Sequence, residues 1–314
     1  MRQQTEIKLV DRDGMNVALG NRFCGRAAGP WLVLAAAMLW GTTGTAQALA
    51  PAASTPVAIA ALRMSVAGLA LLSGSLWRGG IQLRSWPVRI TLSAGVFIAL
   101  YQLSSFWAMH ATGVAVGTIV AMGSAPVFAG LLEYLVWQRT PERRWYLSTA
   151  LAFSGCLLLV LDSGNLQVDG VGVLVALVAG FSYAFYTLLM GLLVRRQAPA
   201  DATAAVTCLG AIFLLPFLWQ CDLQWLAQLS GWLVVLHLGL IATALSYWLF
   251  AKGLAGVKTS TAVTLTLAEP LVATLLGILV VGERMTIMVS CGLVLIFAAL
   301  VLLLFPAAQR SAGQ

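Results

Sequence analysis

Charge is scarce in this chain. Asp, Glu, Lys and Arg make up 9% of its 314 residues, against about 25% in an ordinary water-soluble domain. A soluble fold of this size needs far more charge on its surface, so that class is excluded. Histidine is nearly absent, with two residues, and the five cysteines (Cys24, Cys156, Cys208, Cys221 and Cys291) form no C-x-x-C pair. Neither a disulfide framework nor a metal site is expected from such a set. The phosphate-binding pattern G-x-x-x-x-G-K-[ST] is missing too, so the chain has no nucleotide motor of its own. The net charge of +7 is spread over segment ends, without the clustered basic patch that nucleic-acid binding requires.

What is abundant is apolar residue: 60% of the chain, with a mean hydropathy of +0.92. Runs of about 20 residues, the length that crosses a ~30 Å hydrocarbon core, recur ten times. Charged and turn-rich breaks place them near 30–50, 55–77, 88–109, 113–137, 145–162, 170–194, 201–219, 231–251, 258–280 and 284–305. Residues 1–29 read as a short basic tail rather than a cleaved signal peptide, and 307–314 as a second tail. With the first tail cytoplasmic, 16 of the 18 basic residues fall on the inside, leaving Arg284 outside and Arg63 within a span. The positive-inside rule therefore predicts ten spans with both termini cytoplasmic. Trp31, Trp77, Trp86, Trp145, Trp219, Trp225 and Trp232 sit near span ends, where an interfacial belt is expected.

The two halves repeat. Pro56 and Pro199 are 143 positions apart, and Pro126 and Pro270 are 144 apart. The same shift pairs Trp40 with Tyr183 or its neighbour and Gln102-Leu103 with Ser246-Tyr247, while the register is less clear across the fifth and tenth spans. Five spans is an odd number, so the second copy enters the membrane from the other side. The predicted fold is an all-α membrane protein of ten transmembrane helices in two inverted five-helix repeats, 30–162 and 170–306.

At these residues the sequence resembles the drug/metabolite transporter superfamily, specifically its EamA-type ten-helix exporters. The matching elements are Leu39-Trp40-Gly41-Thr42, Ala60-Ala61-Leu62-Arg63 and the Pro126 helix in the first half. Gly180-Phe181-Ser182-Tyr183-Ala184, Thr243-Ala244-Leu245-Ser246-Tyr247, Ala268-Glu269-Pro270-Leu271 and Gly282-Glu283-Arg284 carry it in the second. One departure is Gln138-Arg139, where the first half lacks the Gly-Glu pair of the second. The resemblance implies an exporter of small metabolites in a bacterial inner membrane, with amino acids, aromatic ones included, as the leading substrates. It implies no cofactor and no enzyme activity, and a monomer or weak dimer in the bilayer.

Polar groups inside a span are costly and mark cavities or pairings. Arg63 can bind a substrate carboxylate in two-pronged fashion or snorkel to the interface. Glu269, before a proline in a hydroxyl-rich helix, can hold a substrate ammonium, exchange protons or serve as a buried structural carboxylate. Glu133, His110 and His237 read as structural or solvated groups. Polar and aromatic patches recur on four further helices: Trp40, Thr42 and Thr43; Tyr101, Gln102 and Ser105; Tyr183 and Tyr186; Ser246 and Tyr247. Together with Thr266, these are the candidate substrate-binding residues, enclosing one amphipathic cavity. Pro126 and Pro270 are candidate hinges, and Gly113 to Gly117 a packing seam.

A secondary transporter working by alternating access follows, with a passive channel or a membrane sensor as the alternative. An intramembrane transferase needs a cluster of His, Asp or Glu at ligand spacing, which the chain does not offer.

Overall fold

A computed structural model of the chain describes residues 28–80, 86–138, 140–162, 169–282 and 284–305. The described residues form ten membrane-length helical segments and no strands. They are α1 (Gly29–Ala48), α2 (Pro56–Trp77), α3 (Val88–Thr112), α4 (Val114–Trp137) and α5 (Arg143–Leu161). The second half contributes α6 (Gly170–Leu193), α7 (Pro199–Gln220), α8 (Leu229–Leu254), α9 (Thr259–Val281) and α10 (Ile287–Leu304). The tails, Cys24, Arg84, Arg139 and Glu283 lie outside the described residues. With ten crossings, α1 begins and α10 ends on the same side, called here the terminal face.

Helix starts follow local chemistry. Proline occupies the first turn of α1, α2 and α7, where its missing N–H costs nothing. Thr55, Asp169 and Thr286 accept hydrogen bonds from the backbone N–H groups of Ala58, Gly172 and Val289. Gly113, at φ +82°, makes the sharp connection from α3 to α4.

Three of the expected spans are irregular, α7 because it tightens into a 3-10 helix over Leu215–Gln220. Within α8, residues His237–Leu245 wind as a π-helix. In α9 the helix breaks at Thr266 and Leu267, between Thr259–Leu265 and Ala268–Leu276. The reason lies four residues on: Pro270 has no N–H to offer the Thr266 carbonyl, which accepts from Glu269 N at 2.9 Å instead. By contrast α4 continues as one helix through Pro126. The two candidate hinges thus differ in form.

The belt of tryptophans also needs correction. Trp77 and Trp219 are exposed, but Trp145 and Trp225 are buried. The Trp145 indole N–H donates to Thr264 Oγ1 at 3.0 Å, which draws the ring into the bundle.

Helix contacts come in pairs related by the repeat. The α3–α6 packing matches α1–α8, α4–α6 matches α1–α9, and α3–α7 matches α2–α8, while α2–α7 and α5–α10 are their own counterparts. The match extends to single residues. A Cβ on Gly95 would lie 2.6 Å from Leu209 Cβ, and one on Gly239 would lie 2.7 Å from Val66 Cβ. Val66 and Leu209 differ by 143 positions, Gly95 and Gly239 by 144. Gly29 against Gly256 repeats as Gly172 against Thr112 in the same way. Gly155 meets the Gly292 carbonyl, and its counterpart is Ser148 donating to the Ala299 carbonyl at 2.7 Å. This last pair fixes the register across α5 and α10 that the sequence left open. Small residues at each crossing let backbones approach, which is how helices adhere where water supplies no hydrophobic drive.

Candidate functional site

A cavity of about 430 Å³ lies between the halves, walled by α1, α3, α4, α5 and α9, with single residues from α2, α6 and α8. On α1 the lining residues are Trp40, Thr43, Gly44 and Gln47, the three- and four-residue spacing of one helix face. They run from mid-helix toward the face opposite the termini. Tyr101, Ser105 and Met109 do the same on α3. On the terminal side of these helices Met190, Leu193, Leu254 and Leu265 are buried in one apolar cluster and none of them lines the cavity.

Polar groups gather at the deep end. Arg63 Nη2 donates to Gln102 Oε1 at 3.2 Å, while Arg63 Nε, Gln102 Nε2 and Trp40 Nε1 are buried without a hydrogen-bond partner. Leaving three such donors unmet in a low-dielectric interior is costly unless something else accepts from them. The Ser105 and Tyr183 hydroxyls lie beside those of Tyr101 and Thr266 without aligned hydrogen-bond geometry. Glu269 faces the same space, within electrostatic reach of Arg63 but in no direct ion pair with it. The break in α9 is what exposes this carboxylate. Thr266 Oγ1 turns back to the Val263 carbonyl at 2.7 Å, and the tightened turn that follows carries Glu269 to the wall.

Aromatic rings frame these groups. Trp40 meets Tyr247 edge-on with centroids 5.6 Å apart and Tyr183 at 6.5 Å; Tyr101 and Tyr183 are 5.1 Å apart. Toward the mouth the wall is largely apolar, with Phe106, Met109, Ile119, Met122, Leu159 and Val160, interrupted by Gln47, Thr118 and Thr274. The cavity is amphipathic: unmet donors and a carboxylate lie below, and a mainly aliphatic and thioether wall with a few hydroxyl and amide groups lies above.

Ten of the thirteen candidate residues line this cavity: Trp40, Thr43, Arg63, Tyr101, Gln102, Ser105, Tyr183, Tyr247, Thr266 and Glu269. Three do not. Thr42 Oγ1 donates to the Leu39 carbonyl at 2.7 Å and meets His237 Nε2 at 3.0 Å, tying α1 to α8. Ser246 Oγ donates to the Ala242 carbonyl at 2.7 Å inside its own helix. Tyr186 is buried behind Tyr183 and Tyr247. The apolar half of the wall, Cys156 included, carries no sequence signal, because an apolar residue in a membrane helix is unexceptional. Pro270 lines the cavity, whereas Pro126 does not.

The other singled-out groups lie away from the cavity. The Glu133 carboxylate accepts the Ser260 N–H at 3.0 Å, binding the end of α4 to the start of α9. His110 is exposed at the end of α3. In the Gly113–Gly117 seam, a Cβ on Gly117 would come within 2.9 Å of Met109 N, the close approach of α4 to α3. Among the described residues no group of three His, Cys, Asp or Glu can hold a metal ion.

Two inverted five-helix copies around a mid-membrane cavity of this kind define a membrane transporter built on internal duplication. The chain belongs to the EamA-like transporter family, within the drug/metabolite transporter superfamily: the family model matches twice, at residues 27–161 and 170–305. The chain is 44% identical over 271 residues to the uncharacterized transporter YwfM of Bacillus subtilis (strain 168), covering 86% of this chain and 92% of that one. It is 23% identical over 290 residues to the uncharacterized inner membrane transporter YicL of Salmonella typhimurium, with 89% and 96% covered. One solved crystal structure, 19% identical, superposes with a TM-score of 0.78 over 88% of this chain and 96% of its own, a likeness of fold.

Proposed function

We propose that this transporter exports small amphipathic zwitterions, amino acids with apolar or aromatic side chains foremost, across the bacterial inner membrane by alternating access. The observation that carries this reading is the juxtaposition of three unpartnered donors and a carboxylate with no ion pair at the base of a largely apolar cavity. A substrate carboxylate accepts from Arg63 and Gln102, and its ammonium donates to Glu269. The side chain then lies against Trp40, Tyr101 and the thioether-lined upper wall. Glu269 is also the group through which protons would be exchanged. The distribution of basic residues supports cytoplasmic termini, so the cavity as described opens outward and is shut toward the cytoplasm.

Counterflow in proteoliposomes tests this. Labelled phenylalanine, tryptophan, leucine and methionine are expected to exchange, whereas phenethylamine and N-acetyl-phenylalanine, each lacking one charge, are expected to fail. Arg63→Gln and Glu269→Gln should each reduce exchange at least tenfold, in proportion to a lost charge-assisted hydrogen bond of about 1.5–3 kcal/mol. Equal exchange of the amine and the parent amino acid would overturn the reading.

A further inference from the structure

A second recess, unconnected with the central cavity's polar floor, lies on the outer surface of the first half. It is an apolar groove of about 810 Å³ between α4 and α5 with one wall residue from α6. Val120, Val127 and Leu131 line one side, Ala150 and Phe153 the other, and Leu177 closes the far end. Along α4 it extends from Val120 to Tyr134, fourteen residues or roughly 21 Å of helix rise. That length exceeds the ~15 Å depth of a single leaflet's hydrocarbon. Val127 and Leu131 are more than half exposed, so the groove faces the bilayer sideways along its length.

Its mouth lies at the terminal face, at Thr140 and Pro141, between the rings of Tyr134 and Tyr146. Tyrosines at that depth belong at the headgroup level. Arg143 starts α5 there. It shares a helix face with Tyr146, Ala150 and Phe153, at spacings of three, seven and ten residues, and this is the face that lines the groove. Arg144 and Lys258 are both engaged by Glu142, whereas Arg143 is exposed and has no ion-pair partner among the described residues. An uncompensated guanidinium thus stands over an apolar slot as deep as a leaflet.

We propose that this groove holds an acyl chain of an anionic phospholipid drawn from the leaflet at the terminal face, with its phosphate against Arg143. The apolar walls select for a chain, and the cation at the mouth selects the headgroup. The site is independent of the substrate, because none of its residues lines the central cavity.

Native mass spectrometry of the full chain, exchanged into an equimolar mixture of phosphatidylglycerol and phosphatidylcholine with identical acyl chains, tests the proposal. One phospholipid per chain is expected to remain, with phosphatidylglycerol favoured about fivefold, the effect of one basic residue near the surface. Arg143→Gln should bring the two headgroups to parity. Ala150→Trp should expel the lipid by filling the slot, and Leu131→Trp does the same from the other wall if the first variant fails gel filtration. A parent that retains no phospholipid, or retains both headgroups equally, overturns the proposal. So does a phosphatidylglycerol preference that survives Arg143→Gln, or a monodisperse filled variant that keeps as much lipid as the parent.

Discussion

The Glu133 carboxylate accepts the Ser260 N–H at 3.0 Å, and the inverted repeat has no counterpart for that bond. A shift of 144 sends Glu133 to Gly277 and Ser260 to Val116, which offer no side-chain acceptor. One carboxylate thus locks α4 to α9 on the terminal face only, consistent with a cavity that opens on the other.

Glu133→Ala is therefore expected to weaken closure of the terminal face. The bond is charge-assisted, buried and worth about 1.5–3 kcal/mol, roughly a tenfold to hundredfold change in the ratio of the two states. Labelling of a Thr266→Cys reporter from the terminal face should rise accordingly. Unchanged labelling would show that the bond does not contribute to the gate.

Cys156 supplies a native probe. Its thiol lies in the cavity wall with its residue 5% exposed. In a chain whose other cysteines are serine, a small impermeant thiosulfonate is expected to modify it from the face opposite the termini, at a rate that transported substrate slows. Equal modification from both faces would contradict the one-sided opening.

The aromatic wall makes a graded prediction. Trp40→Ala, Tyr101→Ala and Tyr247→Ala each remove apolar contact worth on the order of 1–3 kcal/mol and should raise the apparent KM for an aromatic substrate by about fivefold to a hundredfold. Ser246→Ala, whose hydroxyl is satisfied within α8, should leave transport within twofold. Loss of transport in Ser246→Ala would return that residue to the binding site.

The prolines should also separate. Pro270→Ala restores the helical i+4 donor to the Thr266 carbonyl in place of Glu269 N, so α9 should straighten and withdraw Glu269 from the wall. Transport is expected to slow at least tenfold. Pro126→Ala, in a helix already continuous, should cost less. Initial rates in proteoliposomes decide between them, and identical rates would remove the hinge role from Pro270.

At the terminal surface Glu142 is held below the usual carboxylate range, first by the Lys258 hydrogen bond and then by Arg144. A depressed carboxyl contributes stability above its unfolded pKa of about 4.3, and that contribution disappears as pH falls through the folded value. Glu142→Gln should thus matter at pH 7 and matter progressively less as pH falls below about 4.3 and through the lower folded value. The pair is exposed, so the effect on thermal stability should stay within about 1 kcal/mol. A larger loss in the variant at pH 3 than at pH 7 would reverse the assignment.

Much of this was legible before any coordinates, for specific reasons. A charged or amide side chain in an apolar span is rare enough that Arg63, Gln102 and Glu269 stand out, and all three reach the cavity. Phe106, Met122 and Leu159 reach it equally but do not stand out, because lipid-facing and cavity-facing apolar residues look alike. Helix phase was the other gap. Thr42 and Thr43 are one position and about 100° apart, and in a helix apolar on all sides nothing in the sequence tells which one turns inward. The break in α9 followed from Pro270, yet the same residue type at Pro126 left its helix whole.

The packing contacts obey the repeat, as Val66 on Gly239 and Leu209 on Gly95 show, while the charged groups do not: the counterparts of Arg63 and Glu269 are Val206 and Ala125. A pocket made of two identical halves would present every ligand with two equivalent poses, each half as often the productive one. Here the cation comes from one copy and the carboxylate from the other, so the chamber itself has a single polarity. Duplication built the chamber, and divergence at these two positions gave it one electropositive and one electronegative side.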